Sequence, residues 1–100
     1  MVTENGIPEP DDQDEKRPRF LVQHLAACHR ALEAGVKLRG YVHWTSMDNY
    51  EWAEGFAPRF GLVHVDFKTQ VRTPKPSAHL YRDIIRRNGL SADDLARYNA

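Results

Sequence analysis

One hundred residues are enough for one domain of ordinary size, and 14 basic side chains balance 14 acidic ones. This balance gives no electrostatic basis for binding nucleic acid or an anionic membrane. The single cysteine, Cys28, excludes an internal disulfide and favours a reducing compartment. No segment approaches the roughly 20 apolar residues of a membrane span, and no signal peptide is visible. We therefore expect a soluble, cytoplasmic protein.

The chain begins with a strand signal that is followed by a polar stretch. Residues 2–3 are β-prone and Asn5-Gly6 favours a turn, so residues 1–6 are predicted to hold the end of a strand. Residues 7–19 contain three prolines and a run of charged side chains. Such a composition is typical of a solvated surface connection, which is our prediction for this segment.

An apolar stripe predicts a helix over residues 18–34. The side chains of the stripe recur at spacings of four, three and four residues, namely Leu21, Leu25, Cys28 and Leu32. Pro18 suits the first turn of a helix, and Gly35 suits the residue after the last turn. We interpret Cys28 as a small core residue of this stripe. His24 lies four residues earlier and could share a metal ion with Cys28, but without a second pair of ligands we do not predict a metal site.

Two apolar segments and a second helix complete the pattern. Residues 36–44 predict a buried strand, and residues 60–67 alternate well enough to predict another. Ser77 can cap a helix that ends near Asn88, since Asn-Gly is a stop signal. Residues 91–94 resemble a capping box and predict a short last helix.

These elements amount to about two βα units. A helix joined to a strand by a short glycine-containing link is the αβ half of a βαβ unit. Parallel sheets are covered by helices on both faces and extended by neighbouring strands, which two units cannot supply. The sequence therefore predicts that residues 1–100 are one piece of a larger α/β domain.

The stretch at residues 44–52 is the densest in functional groups. It holds two tryptophans, two carboxylates and an amide within nine residues. Ring faces are apolar and carboxylates accept paired hydrogen bonds from hydroxyls, so the combination suits a sugar. Core packing is the alternative interpretation for Trp44 and Trp52.

Several motifs resemble those of family 1 glycoside hydrolases, the retaining β-glucosidases and β-galactosidases. Thr3-Glu4-Asn5-Gly6 is similar to the nucleophile motif of that family. The motifs that follow in order are Arg39-Gly40-Tyr41, Trp44, Asp48-Asn49-Tyr50-Glu51-Trp52, Gly55, Arg59-Phe60-Gly61-Leu62, Val65-Asp66 and Arg72-Thr73-Pro74-Lys75-Pro76-Ser77-Ala78. The resemblance covers nearly the whole chain, and the acidic loop after Gly6 is more similar to archaeal-type β-glycosidases.

The resemblance implies a (β/α)8 TIM barrel. This chain would be its C-terminal part, with the end of strand 7, helix 7, strand 8, the loop after it and helix 8. Active sites of such barrels lie at the carboxyl ends of the strands. Glu4 would end strand 7 and Trp44 would end strand 8, so both are expected to open onto the same face. The resemblance implies neither a cofactor nor a metal.

The resemblance also implies a role for each site residue. A retaining glycosidase uses two carboxyl groups about 5–5.5 Å apart, a nucleophile and an acid/base. Glu4 matches the nucleophile, which forms a covalent glycosyl-enzyme. Glu51 and Trp52 match residues that hydrogen-bond the sugar, while Trp44 matches the platform beneath the ring. Phe60 would line the pocket near O6. A carboxylate at Glu51 would repel a 6-phosphate, so unphosphorylated β-glycosides are the expected substrates.

Part of the chemistry is missing from these residues. The acid/base of the family lies in an Asn-Glu-Pro motif, which the chain lacks; Glu9-Pro10 follows Pro8 and does not qualify. We therefore expect the chain to need the rest of the barrel and to be inactive alone. Two alternatives stay open: a non-catalytic carbohydrate-binding or interaction module that reuses residues 44–52, and a half-barrel piece that assembles with itself or with a complementary chain. Asp48 and Asn49 are expected to hold the loop rather than to contact sugar.

Overall fold

A strand, a helix and a second strand form the first part of the fold. The computed structural model describes residues 1–10 and 13–100, with the backbone alone described at Ala53. The elements in chain order are β1 (Val2–Asn5), β2 (Glu9–Pro10), α1 (Lys16–Glu33), β3 (Tyr41–His43), a 3-10 turn (Trp52–Glu54), β4 (Pro58–Arg59), β5 (Val63–Val65), β6 (Arg72–Pro74), α2 (Pro76–Arg87) and α3 (Ala92–Arg97). Strands β1 and β3 pair in parallel, as the βαβ pattern predicts.

Strand β3 is shorter than the predicted strand at residues 36–44. Only Tyr41–His43 belong to it, and Val36 is exposed. The partner strand β1 is four residues long, and Gly40 is the first residue of the segment to bond it, through the Val2 N–H at 3.0 Å. An apolar run forms a strand only where a neighbour satisfies its backbone groups, so the prediction is wrong for residues 36–40, and it is also wrong for Trp44, which follows the strand.

Helix α1 confirms the apolar stripe. It runs from Lys16 to Glu33, against a prediction of residues 18–34, and it packs against α2 and α3. Leu21 and Val22 on this helix are fully buried. Gly35 follows the helix with φ +95°, a left-handed conformation that favours glycine.

The prediction that residues 7–19 are a solvated connection is wrong at Glu9. This side chain is buried, and its carboxylate accepts hydrogen bonds from the backbone N–H groups of Glu15, Lys16 and Arg17 at 3.0, 2.9 and 2.7 Å. The first N–H groups of a helix lack partners within the helix, and they attract negative charge. Glu9 therefore caps α1 from outside it. Asp11 and Asp12 of the charge run lie outside the described residues.

The same segment also caps α2. Asp14 accepts hydrogen bonds from the Ser77 N–H at 2.6 Å and from the Ser77 hydroxyl at 2.8 Å. Pro76 is the first residue of α2 and Lys75 precedes it without a side-chain cap. The prediction of Ser77 as the capping residue is therefore wrong, because the cap comes from a carboxylate distant in sequence.

Arg17 joins these two caps. Its side chain is fully buried and forms an ion pair with Asp14. The guanidinium also donates to the carbonyls of Ile7 at 3.2 Å and Arg59 at 2.7 Å. A buried cation is tolerated only when it is paired and hydrogen-bonded, which these contacts provide.

Two antiparallel strand pairs flank the loop that follows β3. Strand β2 pairs with β4, and β5 pairs with β6. The predicted strand at residues 60–67 is therefore only partly right, since β5 holds just Val63–Val65. Asp66 ends it, because its carboxylate accepts from the backbone N–H groups of Lys68 and Thr69 and turns the chain into β6.

The predicted stop of α2 and the predicted start of α3 are confirmed. Asn88 follows α2 with φ +55°, the left-handed conformation of a helix stop. Ser91 accepts from the Asp94 N–H at 3.0 Å, and the Asp94 carboxylate accepts from the Ser91 N–H at 3.2 Å. This is the reciprocal capping box.

Apolar side chains remain uncovered around the parallel sheet. Val42 on β3 is 45% exposed, Leu32 on α1 is 48% exposed and Ile85 on α2 is 60% exposed. Parallel sheets and the helices that cover them are usually buried on these faces. No helix in the described part of the chain is long and apolar enough to cross a membrane.

The close approach of Gly6 to Trp44 gives a stability prediction. A Cβ at Gly6 would overlap the backbone carbonyl of Trp44, whereas one at Gly89 would meet nothing within 4 Å. We expect Gly6→Ala to lower the free energy of unfolding by about 1–3 kcal/mol, because the backbone must shift. Gly89→Ala, the matched control, is expected to change it by less than about 0.5 kcal/mol. Urea unfolding followed by circular dichroism measures the free energy of unfolding of both variants. Equal stabilities of the two variants would contradict the close approach of Gly6 to Trp44.

Candidate active site

The carboxyl ends of β1 and β3 lie side by side. The Trp44 N–H donates to the Asn5 carbonyl at 3.0 Å, directly after the parallel pairing of the two strands. The Tyr41 hydroxyl donates to the Asn5 side chain at 2.6 Å and fixes the end of β1. Glu4 is exposed on β1, one residue before this contact. Glu4 and Trp44 therefore reach the same edge of the sheet.

Trp44 and Glu51 are in contact. The indole N–H of Trp44 lies 3.5 Å from Oε1 of Glu51, a long hydrogen bond, and the Trp44 side chain is half-buried. Oε2 of Glu51 is buried and has no hydrogen-bond partner within the described part of the chain. An unsatisfied buried carboxylate oxygen is costly, so this position favours a ligand that donates hydrogen bonds.

Trp52 stands out from the fold on a tight turn. Its side chain is 83% exposed, so the core-packing alternative does not hold for it here. The Glu51 N–H donates to the Gly55 carbonyl at 2.6 Å, and the Gly55 N–H donates to the Trp52 carbonyl at 3.0 Å. Trp52 and Gly55 have φ of +48° and +68°. The turn therefore presents the indole of Trp52 to solvent.

Phe60 is brought to the site by its backbone. Its carbonyl accepts from the Thr45 N–H at 3.2 Å, and the Thr45 carbonyl accepts from the Leu62 N–H at 3.0 Å. The segment around Phe60 thus runs beside the residue that follows Trp44. The structure gathers Glu4, Trp44 and Phe60 at one edge. In residues 1–10 and 13–100, Trp44 and Glu51 are the pair of predicted site residues joined by a side-chain hydrogen bond.

A buried cluster of charged side chains is centred on Asp48, in the loop that follows β3. Oδ1 of Asp48 accepts from the Gly61 N–H and the Lys75 ammonium, both at 3.0 Å, and Oδ2 accepts from Arg59 at 2.9 Å and the Val65 N–H at 3.3 Å. Burial alone raises the pKa of Asp48, but the bonds from Arg59 and Lys75 outweigh it and hold the pKa below its usual range. Burial lowers the pKa of Lys75, and its bond to Asp48 opposes this. Asp48 thus holds the loop, as predicted.

His43 is a second buried titratable group near the site, on β3 just before Trp44. It is 7% exposed, and neither ring nitrogen has a hydrogen-bond partner among the described residues. Burial lowers the pKa of His43 to about 4, and the nearby Phe60 carbonyl opposes this shift only in part. The cations Arg17 and Lys75 add to the lowering, while Asp14 opposes it. His43 is therefore neutral at pH 7.

The state of His43 gives a pH prediction. Because the pKa is lower in the folded chain, between pH 6.5 and about 4 the unfolded chain takes up a proton that the folded chain does not. Stability from this group is complete above pH 6.5 and decreases towards pH 4, by about 1–3 kcal/mol after allowance for partial solvent screening. An NMR titration of the imidazole signals is expected to place the midpoint of His43 near 4. A His43 midpoint at or above about 6.5, the ordinary value for histidine, would contradict the prediction.

The segments that build this site lie within the part of the chain that matches a known protein family. The model of glycosyl hydrolase family 1 matches residues 1–90. The chain belongs to glycosyl hydrolase family 1. Family 1 relatives include a β-galactosidase from Saccharolobus solfataricus, 48% identical over 99 residues, which are 99% of this chain and 20% of that protein. Beta-glucosidase 47 from Arabidopsis thaliana is 44% identical over 98 residues, with coverage of 93% and 18%.

Solved family 1 structures share this fold. A β-glycosidase from Pyrococcus horikoshii has a TM-score of 0.93 at 49% identity, over 99% of this chain and 23% of that one. A β-glucosidase from Thermotoga maritima in complex with glucoimidazole has a TM-score of 0.86 at 38% identity, over 90% and 22%. These neighbours are TIM barrels. The chain spans about a fifth of the length of the curated relatives it matches, and the predicted resemblance to family 1 is confirmed.

Proposed function

We propose that this chain carries the nucleophile and the glycone-binding half of a retaining β-glycosidase site. Family 1 membership and relatives named as β-galactosidases and β-glucosidases support the reaction class. The observation that carries the proposal is Oε2 of Glu51, which is buried without a partner while Oε1 meets the Trp44 indole. Sugar hydroxyls would supply the donors that this carboxylate lacks.

The proposed roles follow from the chemistry of each group. The ionised carboxylate of Glu4 attacks the anomeric carbon, the bond to the leaving oxygen breaks, and a covalent glycosyl-enzyme forms. An acid/base outside this chain protonates the leaving oxygen and later activates the water that releases the sugar. Glu51 accepts from sugar hydroxyls and Trp52 donates its indole N–H to one. Trp44 is the platform under the ring, and Phe60 lines the pocket.

The proposal places residues 1–100 as the C-terminal part of one (β/α)8 barrel domain. Strand β1 would be the end of strand 7, α1 helix 7, β3 strand 8 and α2 helix 8. The exposed apolar side chains of Leu32, Val42 and Ile85 would then be covered by the rest of the barrel. Unphosphorylated β-glycosides are the proposed substrates, since a phosphate facing Glu51 would be repelled.

A non-catalytic carbohydrate-binding or assembly module is the second candidate function. The exposed Trp52 and the unsatisfied oxygen of Glu51 would serve sugar binding without any use of Glu4. The two candidates differ in one outcome, which is covalent modification of Glu4.

A chimera tests the proposal. In it, this chain replaces the aligned segment of the β-galactosidase from Saccharolobus solfataricus. We expect the chimera to hydrolyse an aryl β-glycoside, and mass spectrometry after treatment with a 2-fluoro-glycoside inactivator to find the label on Glu4. A folded chimera that binds the glycoside but stays unlabelled would favour the binding module. The 100-residue chain alone is expected to show no turnover. Turnover by this chain that Glu4→Gln abolishes would contradict the proposal that the acid/base residue lies outside the chain.

A further inference from the structure

An ion pair between Asp48 and Arg59 closes the loop at residues 48–59. We call the two loop ends that this ion pair joins the neck of the loop. Arg59 donates to Oδ2 of Asp48 at 2.9 Å, and the side chain of Asp48 is fully buried while that of Arg59 is 12% exposed. The Gly61 N–H, just beyond the loop, donates to Oδ1 of the same carboxylate at 3.0 Å. A loop whose ends meet in this way is an Ω-loop, and its own contacts hold its shape.

Aromatic rings fill one side of this loop. The rings of Tyr50 and Phe56 lie 5.2 Å apart, and those of Phe56 and Phe67 lie 4.8 Å apart. The guanidinium of Arg59 lies 4.4 Å from the centre of the Phe67 ring. Arg59 therefore connects the ion pair with Asp48 to the aromatic rings, and Nη1 of Arg59, which donates to Asp48, also donates to the Val65 carbonyl at 2.7 Å.

The turn that carries Glu51 and Trp52 lies inside the closed loop. It is held by three backbone hydrogen bonds, from the N–H groups of Glu51, Glu54 and Gly55. No side chain on this turn donates to Asp48 in the described part of the chain. The carboxylate of Asp48 therefore acts on Glu51 and Trp52 only through the position of the loop.

We propose that Asp48 and Arg59 are positioning residues that clamp the neck of the loop and so fix Glu51 and Trp52. The part of this inference that concerns sugar rests on the proposed function; the part that concerns the loop does not. A buried, hydrogen-bonded ion pair of this geometry loses most of its value when one partner is neutralised, because the other charge stays buried. Lys75 is the second cation on Asp48 and lies outside the neck.

Amide hydrogen exchange tests the clamp. In Asp48→Asn, the amides of Glu51, Glu54 and Gly55 are expected to exchange at least about tenfold faster than in the unchanged chain, while amides in the middle of α1 change by less than about twofold. Asp66→Asn is the matched control, since Asp66 also accepts two backbone N–H groups but lies outside the loop. It is expected to leave the three loop amides unchanged.

Two further variants keep the test decisive. Lys75→Met removes the other cation on Asp48, and the loop amides are expected to keep their protection. If Asp48→Asn does not fold, Arg59→Lys replaces it, because it keeps the charge but loses the planar guanidinium that lies against the Phe67 ring and whose single nitrogen bonds both Asp48 and Val65. Unchanged loop amides in a folded Asp48→Asn or Arg59→Lys variant would overturn the proposal, as would loosening of the loop by Lys75→Met to the same extent.

Kinetics in the chimera separate the clamp from the reaction. Asp48→Asn is expected to lower kcat/KM for an aryl β-glycoside by about tenfold or more, since Glu51 and Trp52 would bind the sugar less well in the transition state. Asp66→Asn is expected to keep the original value. An inactive unmodified chimera would count against the proposed function, while the exchange rates would still decide whether Asp48 and Arg59 hold the loop.

Discussion

Replacement of Glu4 by glutamine is expected to lower kcat/KM of the chimera on the order of a thousandfold or more. Glutamine has nearly the same shape as glutamate, but its neutral amide cannot attack the anomeric carbon as an ionised carboxylate does. Binding of the sugar by Glu51, Trp52 and Trp44 is expected to survive, so the loss falls on the chemical step. Steady-state hydrolysis of an aryl β-glycoside measures it.

The control for this substitution is Glu33→Gln. Glu33 is an exposed carboxylate at the end of α1 that pairs with His29, so its neutralisation is expected to leave kcat/KM within about twofold. A chimera with Glu4→Gln that kept a tenth or more of the original kcat/KM would contradict the assignment of Glu4 as the nucleophile.

Replacement of Arg17 by methionine is expected to lower the free energy of unfolding by about 3–5 kcal/mol. Methionine fills a similar volume but leaves the buried carboxylate of Asp14 without its cation and the carbonyls of Ile7 and Arg59 without a donor. Since Asp14 also caps α2, the loss reaches both helices. Urea unfolding followed by circular dichroism measures the change.

Arg19→Met on the same helix is the matched control. Arg19 is exposed, so this variant is expected to change the free energy of unfolding by less than about 0.5 kcal/mol. Equal effects at the two positions would show that the charge of α1, and not the buried contacts of Arg17, determines stability.

Local patterns predicted the helices well. The apolar stripe placed α1 within two residues of its observed ends, and the Asn88 stop and the Ser91 capping box were found where the sequence predicts them. These features depend on residues at most a few positions apart, so a sequence carries them directly.

Contacts between distant segments could not be predicted in this way. Glu9, Asp14 and Arg17 lie in a segment that is predicted to be a solvated connection, yet they are buried because the helix ends and the Arg59 carbonyl lie beside them. Strand lengths also depend on partners, which is why the two predicted strands at residues 36–44 and 60–67 are shorter in the structure.

The candidate site residues were proposed from the resemblance to family 1, and the structure adds their surroundings. Spacing alone gives no sign that Oε2 of Glu51 is buried without a donor or that His43 is neutral. The sequence predicts that Asp48 holds the loop, but it gives no sign of the partner Arg59, because an arginine eleven residues later shows no pattern until the loop closes.

The pairing of β2 with β4 has a consequence for the order of folding. It joins Glu9 to Arg59 and Pro10 to Pro58. These two segments are far apart in the sequence, so the long loop between them must close before the strands can form their hydrogen bonds. Closing a long loop costs entropy that grows with its length, whereas α1 needs only neighbours in sequence. Helix α1 is therefore expected to form early and the β2–β4 pair late. Because β4 also carries Arg59, the loop with Glu51 and Trp52 is expected to take its final shape late in folding.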